Sequence, residues 1–220
     1  MARPADRKNA CELIRKAAVA LFKARGYHGT SVRDLAKAAR IETASIYYYF
    51  PSKQEILLDL CERIMDALYE SLVQAIRSNP TPEEQLRAAI RAHVLAHTTR
   101  QDETFISHSE LRLLSAQNRR RIIAMRDRYE REVRALLASG VREGSFHIED
   151  IRMTSTALLM MCSGVSEWYS GRGRLTAREV ADRYADWAVW LVAARKKRPG
   201  LTAVSHKKRR GQARRLSNTV

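Results

Sequence analysis

Two short helical segments set three residues apart, within TSVRDLAKAARIETASIYYYFPSK (residues 30–53), constrain this chain more than any other feature. Thr30 and Ser31 supply an N-cap, and Asp34 stands three residues after Ser31, the spacing of a capping box. Val32, Leu35, Ala36 and Ala39 then recur at helical spacing and give the first segment one apolar face. Arg40, Ile41 and Glu42 form the break. The second segment runs from Thr43 to Phe50, with Ile46 and Phe50 facing the first. Thr43, Ala44, Ser45, Tyr48 and Tyr49 are left outward: small residues, hydroxyls and aromatic edges. Such a surface suits a DNA groove, where small side chains permit close approach and hydroxyls bond phosphates or base edges. An ordinary helical hairpin with core tyrosines has the same two-helix pattern, so the flanking sequence must decide.

Charge supports the groove reading. The net charge of +16 is concentrated at the two ends of the 220 residues. Residues 1–53 carry a balance of +7, residues 54–194 one of −1, and residues 195–220 one of +10. This pattern is that of a basic reader joined to a neutral module, not of a uniform nucleic-acid coat. Cys11, Cys61 and Cys162 are odd in number and widely spaced, which fits reduced thiols better than a disulfide framework or a zinc site. No apolar run reaches membrane-span length, and MARPADRKNA lacks the apolar core of a signal peptide, so a cytoplasmic protein is expected.

The flanks complete a motif. ACELIRKAAVALFKARGYHG places Ile14, Ala17, Ala18, Leu21 and Phe22 on one helical face, with Gly26 as its stop. Ser52-Lys53-Gln54-Glu55 reads as a capping box that opens another helix. The AA..LF...GY..TSV.DLA pattern of residues 17–36, the IYYYF of 46–50 and the SK of 52–53 resemble the N-terminal domain of the tetracycline-repressor (TetR) family of bacterial transcription regulators. The resemblance covers roughly residues 10–62. It implies DNA contact by Arg33, Thr43, Ala44, Ser45, Tyr47, Tyr48 and Tyr49, and a phosphate contact by Lys53. Two positions depart from the family pattern. Arg40 replaces the usual turn glycine, and Glu42 stands where a serine cap is common, so Thr43 becomes the expected cap.

The middle of the chain reads as helix throughout. Ile56, Leu57, Leu60, Ile64, Leu68, Leu72 and Ile76 form one stripe that ends near Asn79-Pro80. Thr81-Pro82-Glu83-Glu84 starts a helix that runs to about Thr98. Further helices are expected over Phe105–Leu114 and from Arg119 to about Glu143, followed by an apolar stretch from Glu149 to Tyr169. SGRGR is a loop, and Thr176 starts a last helix to about Arg195. Leu158, Val180, Tyr184, Trp187, Trp190 and Leu191 belong to the last two helices, whose wide apolar face exceeds what closing one core requires. A symmetric dimer bundle is the expected use, with plain core packing the alternative. In the family these helices form a four-helix dimer interface that sets two reading heads one DNA turn apart.

Catalytic patterns are lacking. His93 and His97 have metal-ligand spacing, but no HExxH completes a site, so a satisfied or solvent-facing pair is expected. Ser107, His108 and Glu110 stand too close in sequence for a triad. No cofactor or metal is expected. Met65, Tyr69, Phe105, Met125, Tyr129, Met160, Met161 and Trp168 are candidates to line a ligand cavity, although ordinary core explains each singly. Trp168-Tyr169, Gly173, Leu175-Thr176, Glu179-Val180-Ala181 and Tyr184 are similar to the C-terminal end of TetR-type regulators that respond to acyl-CoA thioesters. The resemblance therefore implies an acyl-CoA, or another bulky apolar carboxylate derivative, as small-molecule effector.

The expected architecture is an all-α homodimer: a flexible basic arm over 1–9, a helix-turn-helix head over 10–55, a ligand-binding and dimerising body over 56–195, and a disordered basic tail over 196–220. The expected function is repression of a palindromic double-stranded DNA operator, relieved by an apolar effector. The alternatives are an activator of the same family, or a small helical acyl-thioester carrier or enzyme.

Overall fold

Side-chain caps and left-handed residues divide the polypeptide into its helices. The computed structural model describes residues 4–193. α1 spans Pro4–Arg25, so most of the stretch expected as a flexible arm is helix. Gly26, at φ 71°, ends it, because glycine adopts the left-handed region without a Cβ penalty. α2 (Val32–Ala39) starts at Ser31, whose hydroxyl accepts the Asp34 N–H while the Asp34 carboxylate accepts the Ser31 N–H. The Ser31 hydrogen bonds hold Asp34 below the usual carboxylate range.

α2 ends with Arg40 in the left-handed conformation, φ 56° and ψ 44°. The Ile41 N–H reaches the Ala36 carbonyl and the Arg40 N–H the Lys37 carbonyl, the two bonds of a Schellman stop. Arginine thus occupies the position where glycine is preferred. α3 (Thr43–Tyr49) follows, and its N-cap is Glu42, which makes no side-chain capping bond. Thr43 is the first helical residue, not the expected cap.

α4 (Lys53–Arg77) is the central pillar, and its buried stripe runs from Ile56 to Ala75. Ser52 caps it through the Glu55 N–H, but the box is half-made: the Glu55 carboxylate accepts from Asn118 Nδ2 instead. α5 (Pro82–Thr99) has the full Thr81/Glu84 box and lies against α4 on one side and α10 on the other. α6 (Gln101–Ser109) begins four residues before the expected Phe105 and stops at Ser109, leaving Leu111–Leu113 as a 3₁₀ turn. α7 (Ala116–Arg142) is capped by Ser115 and begins three residues before the expected Arg119.

The apolar stretch after Glu149 divides into α8 (Ile151–Ser163), capped by Asp150, and a short α9 (Val165–Trp168) beyond Gly164. α10 (Ala177–Val192) opens with the Thr176/Glu179 box. Its C-terminal end is pinned where the His147 N–H donates to the Val192 carbonyl at 2.8 Å. Nearby, Gly140 packs so closely on Phe146 that a Cβ there would overlap the ring. Among the described residues there is no strand beyond the isolated Phe146–Ala193 bridge, and no helix is long and apolar enough to cross a membrane. The expected tail over 196–220 lies outside the described residues.

Candidate nucleic-acid interface and ligand cavity

The head buries one face of each helix and leaves another bare. Ile14, Ala18 and Phe22 of α1 close over Leu35 and Ala36 of α2 and Ile46 of α3. That burial fixes the outward side of α3: Thr43, Ala44, Tyr47 and Tyr48 are exposed, while Ser45 and Tyr49 are half-buried. Tyr48 retains 59% of its surface, and its ring meets Tyr49 edge-on at 5.1 Å. Arg33 is exposed on α2, and the Arg7 guanidinium lies 5.7 Å from the Tyr48 ring centre. A small-residue edge flanked by phenols and arginines offers hydroxyl donors and cations for phosphates and base edges.

Lys53 is positioned differently from the phosphate contact expected of it. Its ammonium donates to the Tyr27 carbonyl at 2.8 Å and the Thr30 carbonyl at 2.7 Å, closing the turn between α1 and α2. Burial lowers its pKa. The neighbouring Gln54, which no local sequence pattern marks for a long-range role, bridges head and body. Its Nε2 donates to the Tyr27 hydroxyl at 3.0 Å and the Leu113 carbonyl at 2.8 Å, and its Oε1 accepts the Ser115 N–H at 2.9 Å. Arg15 adds a two-pronged bond to Asp59 of α4 at 2.7 and 2.9 Å, and Lys23 pairs with Asp102 of α6. Arg15 is raised in pKa, chiefly by its hydrogen bond to Asp59.

In the body, α4, α5, α6, α7 and α8 surround a cavity of about 150 Å³. Met65 and Tyr129 are among its lining residues. The other residues expected to line it are not. Tyr69 lies beneath the Arg128 guanidinium, 3.8 Å from its ring centre, with its hydroxyl directed to Glu132. Phe105 faces α1, where the Lys23 ammonium lies 5.9 Å from its ring. Met125 and Met161 are half-buried packing residues. Trp168 is exposed and stacks on Tyr184 at 6.4 Å. Methionine and aromatic content marked the body as adaptable, but which helical face a residue takes is decided by packing that composition does not encode.

The polar residues His93, His97, Ser107 and His108 line the same cavity, a role their sequence pattern did not show. His93 is buried, its Nδ1 bonded to the Tyr129 hydroxyl at 2.9 Å and its Nε2 to Ser163 Oγ at 3.0 Å. His97 stacks on it at 4.3 Å, bonds the His93 carbonyl through Nδ1, and meets His108 Nε2 through its own Nε2. His93 is therefore satisfied, as expected, but the pair faces a cavity and not solvent. Burial, with the neighbouring histidines, holds His93 well below the ordinary imidazole pKa. Burial lowers His97 too, and His108, exposed at the rim, is lowered by partial burial and by Arg126. Among the described residues no group of three or more His, Cys, Asp or Glu is arranged to hold a metal. The i, i+4 spacing of His93 and His97 was the available signal; the third histidine and Arg126 come from other helices.

Of the residues expected at a dimer interface, Leu158, Val180 and Tyr184 are buried within the chain and have little surface to offer a partner. They fill the core because their helices turn those positions inward. Trp187, Trp190 and Leu191 stay outward, each more than half exposed, along one stripe of α10. Met153 and Met160 are exposed on α8.

Comparison with known proteins agrees with this architecture. Residues 14–60 match the family described as bacterial regulatory proteins, tetR family, and residues 79–192 the tetracyclin repressor-like C-terminal domain. The chain belongs to the TetR family of transcription regulators. The HTH-type transcriptional repressor KstR2 of Mycobacterium tuberculosis is 30% identical over 175 residues, covering 79% of this chain and 87% of KstR2. The crystal structure of the TetR-family regulator PfmR from Thermus thermophilus superposes with a TM-score of 0.75 at 33% identity, covering 80% of this chain and 97% of PfmR. AibR, solved in complex with isovaleryl coenzyme A and operator DNA, superposes with a TM-score of 0.72 at 26% identity, covering 84% and 98%.

Proposed function

We propose that this protein is a cytoplasmic, dimeric repressor that reads a palindromic operator and leaves it when an acyl-CoA thioester enters the body. The observation that carries the reading is α3: its apolar side is sealed into the head while Thr43, Ala44, Tyr47 and Tyr48 face out. Arg33, Ser45 and Tyr49 complete the reading edge, and Arg7 stands beside it. The exposed Trp187, Trp190 and Leu191 stripe of α10 supports a two-fold interface, because tryptophan is enriched where subunits meet. Two heads held by that interface would meet half-sites about one DNA turn apart.

The links between the cavity walls and the head support release by a ligand. The walls include α6 and α7, and both helices are tied to the head side: Asp102 of α6 to Lys23, and Ser115 before α7 to Gln54. A ligand that shifts these walls biases the orientation of the head, and the coupling must be reciprocal. That AibR was crystallised with isovaleryl coenzyme A and operator DNA supports the ligand class.

The test is a footprint of the full-length protein on DNA upstream of its own gene, repeated with a panel of CoA thioesters. A palindromic footprint lost on adding a thioester is the expected result. A footprint strengthened by the ligand would make it an activator or co-repressed regulator. No specific footprint, together with thioester binding, would favour a carrier or enzyme.

A further inference from the structure

The polar groups of the body change in character from the cavity floor to the surface. Ile64, Met65, Leu68 and Leu159 form apolar wall. Above them stand the histidines and Arg126, whose Nη2 donates to the Ser107 carbonyl at 3.0 Å. Among the described residues Arg126 has no carboxylate partner, and Glu130 of the same lining pairs with Arg134 at 3.8 Å. Beyond the shared rim residue His108 lies a surface recess lined by Ser109, Leu111, Arg112 and Arg119, with no acid. The Ser109 hydroxyl is buried there without a hydrogen-bond partner.

This rests on the acyl-thioester reading above and narrows it. We propose that the cavity takes an acyl group no bulkier than a short branched chain or a single ring, with its thioester carbonyl on Arg126 and its phosphates in the Arg112–Arg119 recess.

Size is the first argument. A cavity of about 150 Å³ matches the volume of an engineered apolar cavity that admits benzene. The floor resists enlargement, because His93 joins α5 to α7 through Tyr129 and to α8 through Ser163. Opening it would strand buried polar atoms without partners.

Polarity is the second. A half-buried guanidinium bonded to the neutral Ser107 carbonyl, with no acid beside it, gains from a further oxygen acceptor. The histidine ladder does not supply the donor. His97 gives its Nδ1 proton to the His93 carbonyl, so its Nε2 accepts from His108 Nε2, leaving His108 Nδ1 an acceptor. Arg126 is the cation at the level where a thioester carbonyl would emerge from the apolar floor.

The experiment measures binding of butyryl-CoA, benzoyl-CoA, palmitoyl-CoA, CoA, butyrate and benzoate to the full-length protein by calorimetry. Operator affinity is followed on the same preparation as a control for folding. Butyryl-CoA or benzoyl-CoA should bind at least tenfold more tightly than palmitoyl-CoA. The short thioester should also bind more tightly than CoA itself, and Arg126→Gln should erase most of that difference. The surface double variant Arg112→Ala/Arg119→Ala should weaken every CoA compound at least tenfold and leave the operator affinity of the ligand-free protein unchanged. Palmitoyl-CoA binding tightest would overturn the size limit while the thioester reading survived. Unchanged thioester affinity in the double variant would overturn the recess. Free acids binding as tightly as their thioesters, or no binding at all by a preparation that still binds operator, would overturn this inference and the thioester reading together, leaving repression intact.

Discussion

The Lys53 ammonium donates to the Tyr27 carbonyl at 2.8 Å and lies 4.2 Å from the centre of that residue's ring. With its second bond to Thr30, the lysine fastens the α1–α2 turn to the start of α4. Hydrogen bonds from a charged donor to part-buried carbonyls are worth about 1.5–3 kcal/mol. Lys53→Ala should therefore lower unfolding stability by about that amount, read from the urea midpoint. Operator affinity measured against salt should keep its slope, whereas loss of a phosphate contact would reduce the slope by about one. A reduced slope with unchanged stability would return Lys53 to the DNA.

Arg40 supplies the second prediction. A side chain held in the left-handed region costs about 1–2 kcal/mol, and glycine adopts it freely at an entropic cost of about 0.5–1 kcal/mol. The Schellman bonds at Ala36 and Lys37 are made by backbone and survive the change. Arg40→Gly should thus stabilise the protein by about 0.5–1 kcal/mol, visible as a raised urea midpoint. Arg40→Ala, which keeps the strain, should give no gain. Equal effects of the two substitutions would show that the side chain, not the conformation, sets the energy.

The helix-turn-helix was legible because its signals are local. The Ser31/Asp34 box, Gly26 and the Leu35–Ile46–Phe50 pattern each act within a few residues, and the head adopts them. The caps at Thr81 and Thr176 were legible for the same reason. What escaped was long-range. Glu55 is drawn from its own cap by Asn118, 63 residues on. Lys53 turns inward because carbonyls at Tyr27 and Thr30 happen to face it. The polar side of the cavity escaped in the same way, since His93, His108 and Arg126 meet only after three helices pack. On α10 the apolar residues were identified correctly, but Val180 and Tyr184 share their periodicity with Trp187 and Leu191 closely enough to hide which side is covered.

The histidine cavity predicts a pH dependence. His93 is neutral in the folded chain because burial, with His97 and His108 beside it, lowers its pKa from 6.5. The unfolded chain binds a proton there below about pH 6.5, and the folded chain does not until a lower pH. Its contribution is thus constant above that value and is lost as pH falls, at up to about 1.4 kcal/mol per pH unit. Wild-type stability should drop as pH falls below about 6.5. His93→Gln, which can still bond Tyr129 or Ser163, should be less stable at pH 7.5 yet show a shallower fall. An equal slope in the two proteins would mean that His93 does not titrate on unfolding.

Trp187 tests the assembly. It is 52% exposed, contacts Tyr184 with ring centres 5.3 Å apart, and shares its stripe of α10 with Leu191 one turn on. A large aromatic held outward by a buried neighbour is the kind of anchor that carries interface energy out of proportion to its number. Replacing it with glutamate puts a charge where a partner's apolar surface would lie, and nothing in the chain's own core depends on the indole's outer face. Trp187→Glu should therefore unfold at nearly the wild-type urea concentration when measured at high dilution, yet sediment as a monomer. Its operator affinity should fall steeply, because linking two half-site contacts multiplies affinity by about 10²–10⁴ and the variant forfeits that factor. Binding to an isolated half-site should be unchanged. A variant that remains dimeric, or that loses half-site binding as well, would place the two-fold interface elsewhere on the body.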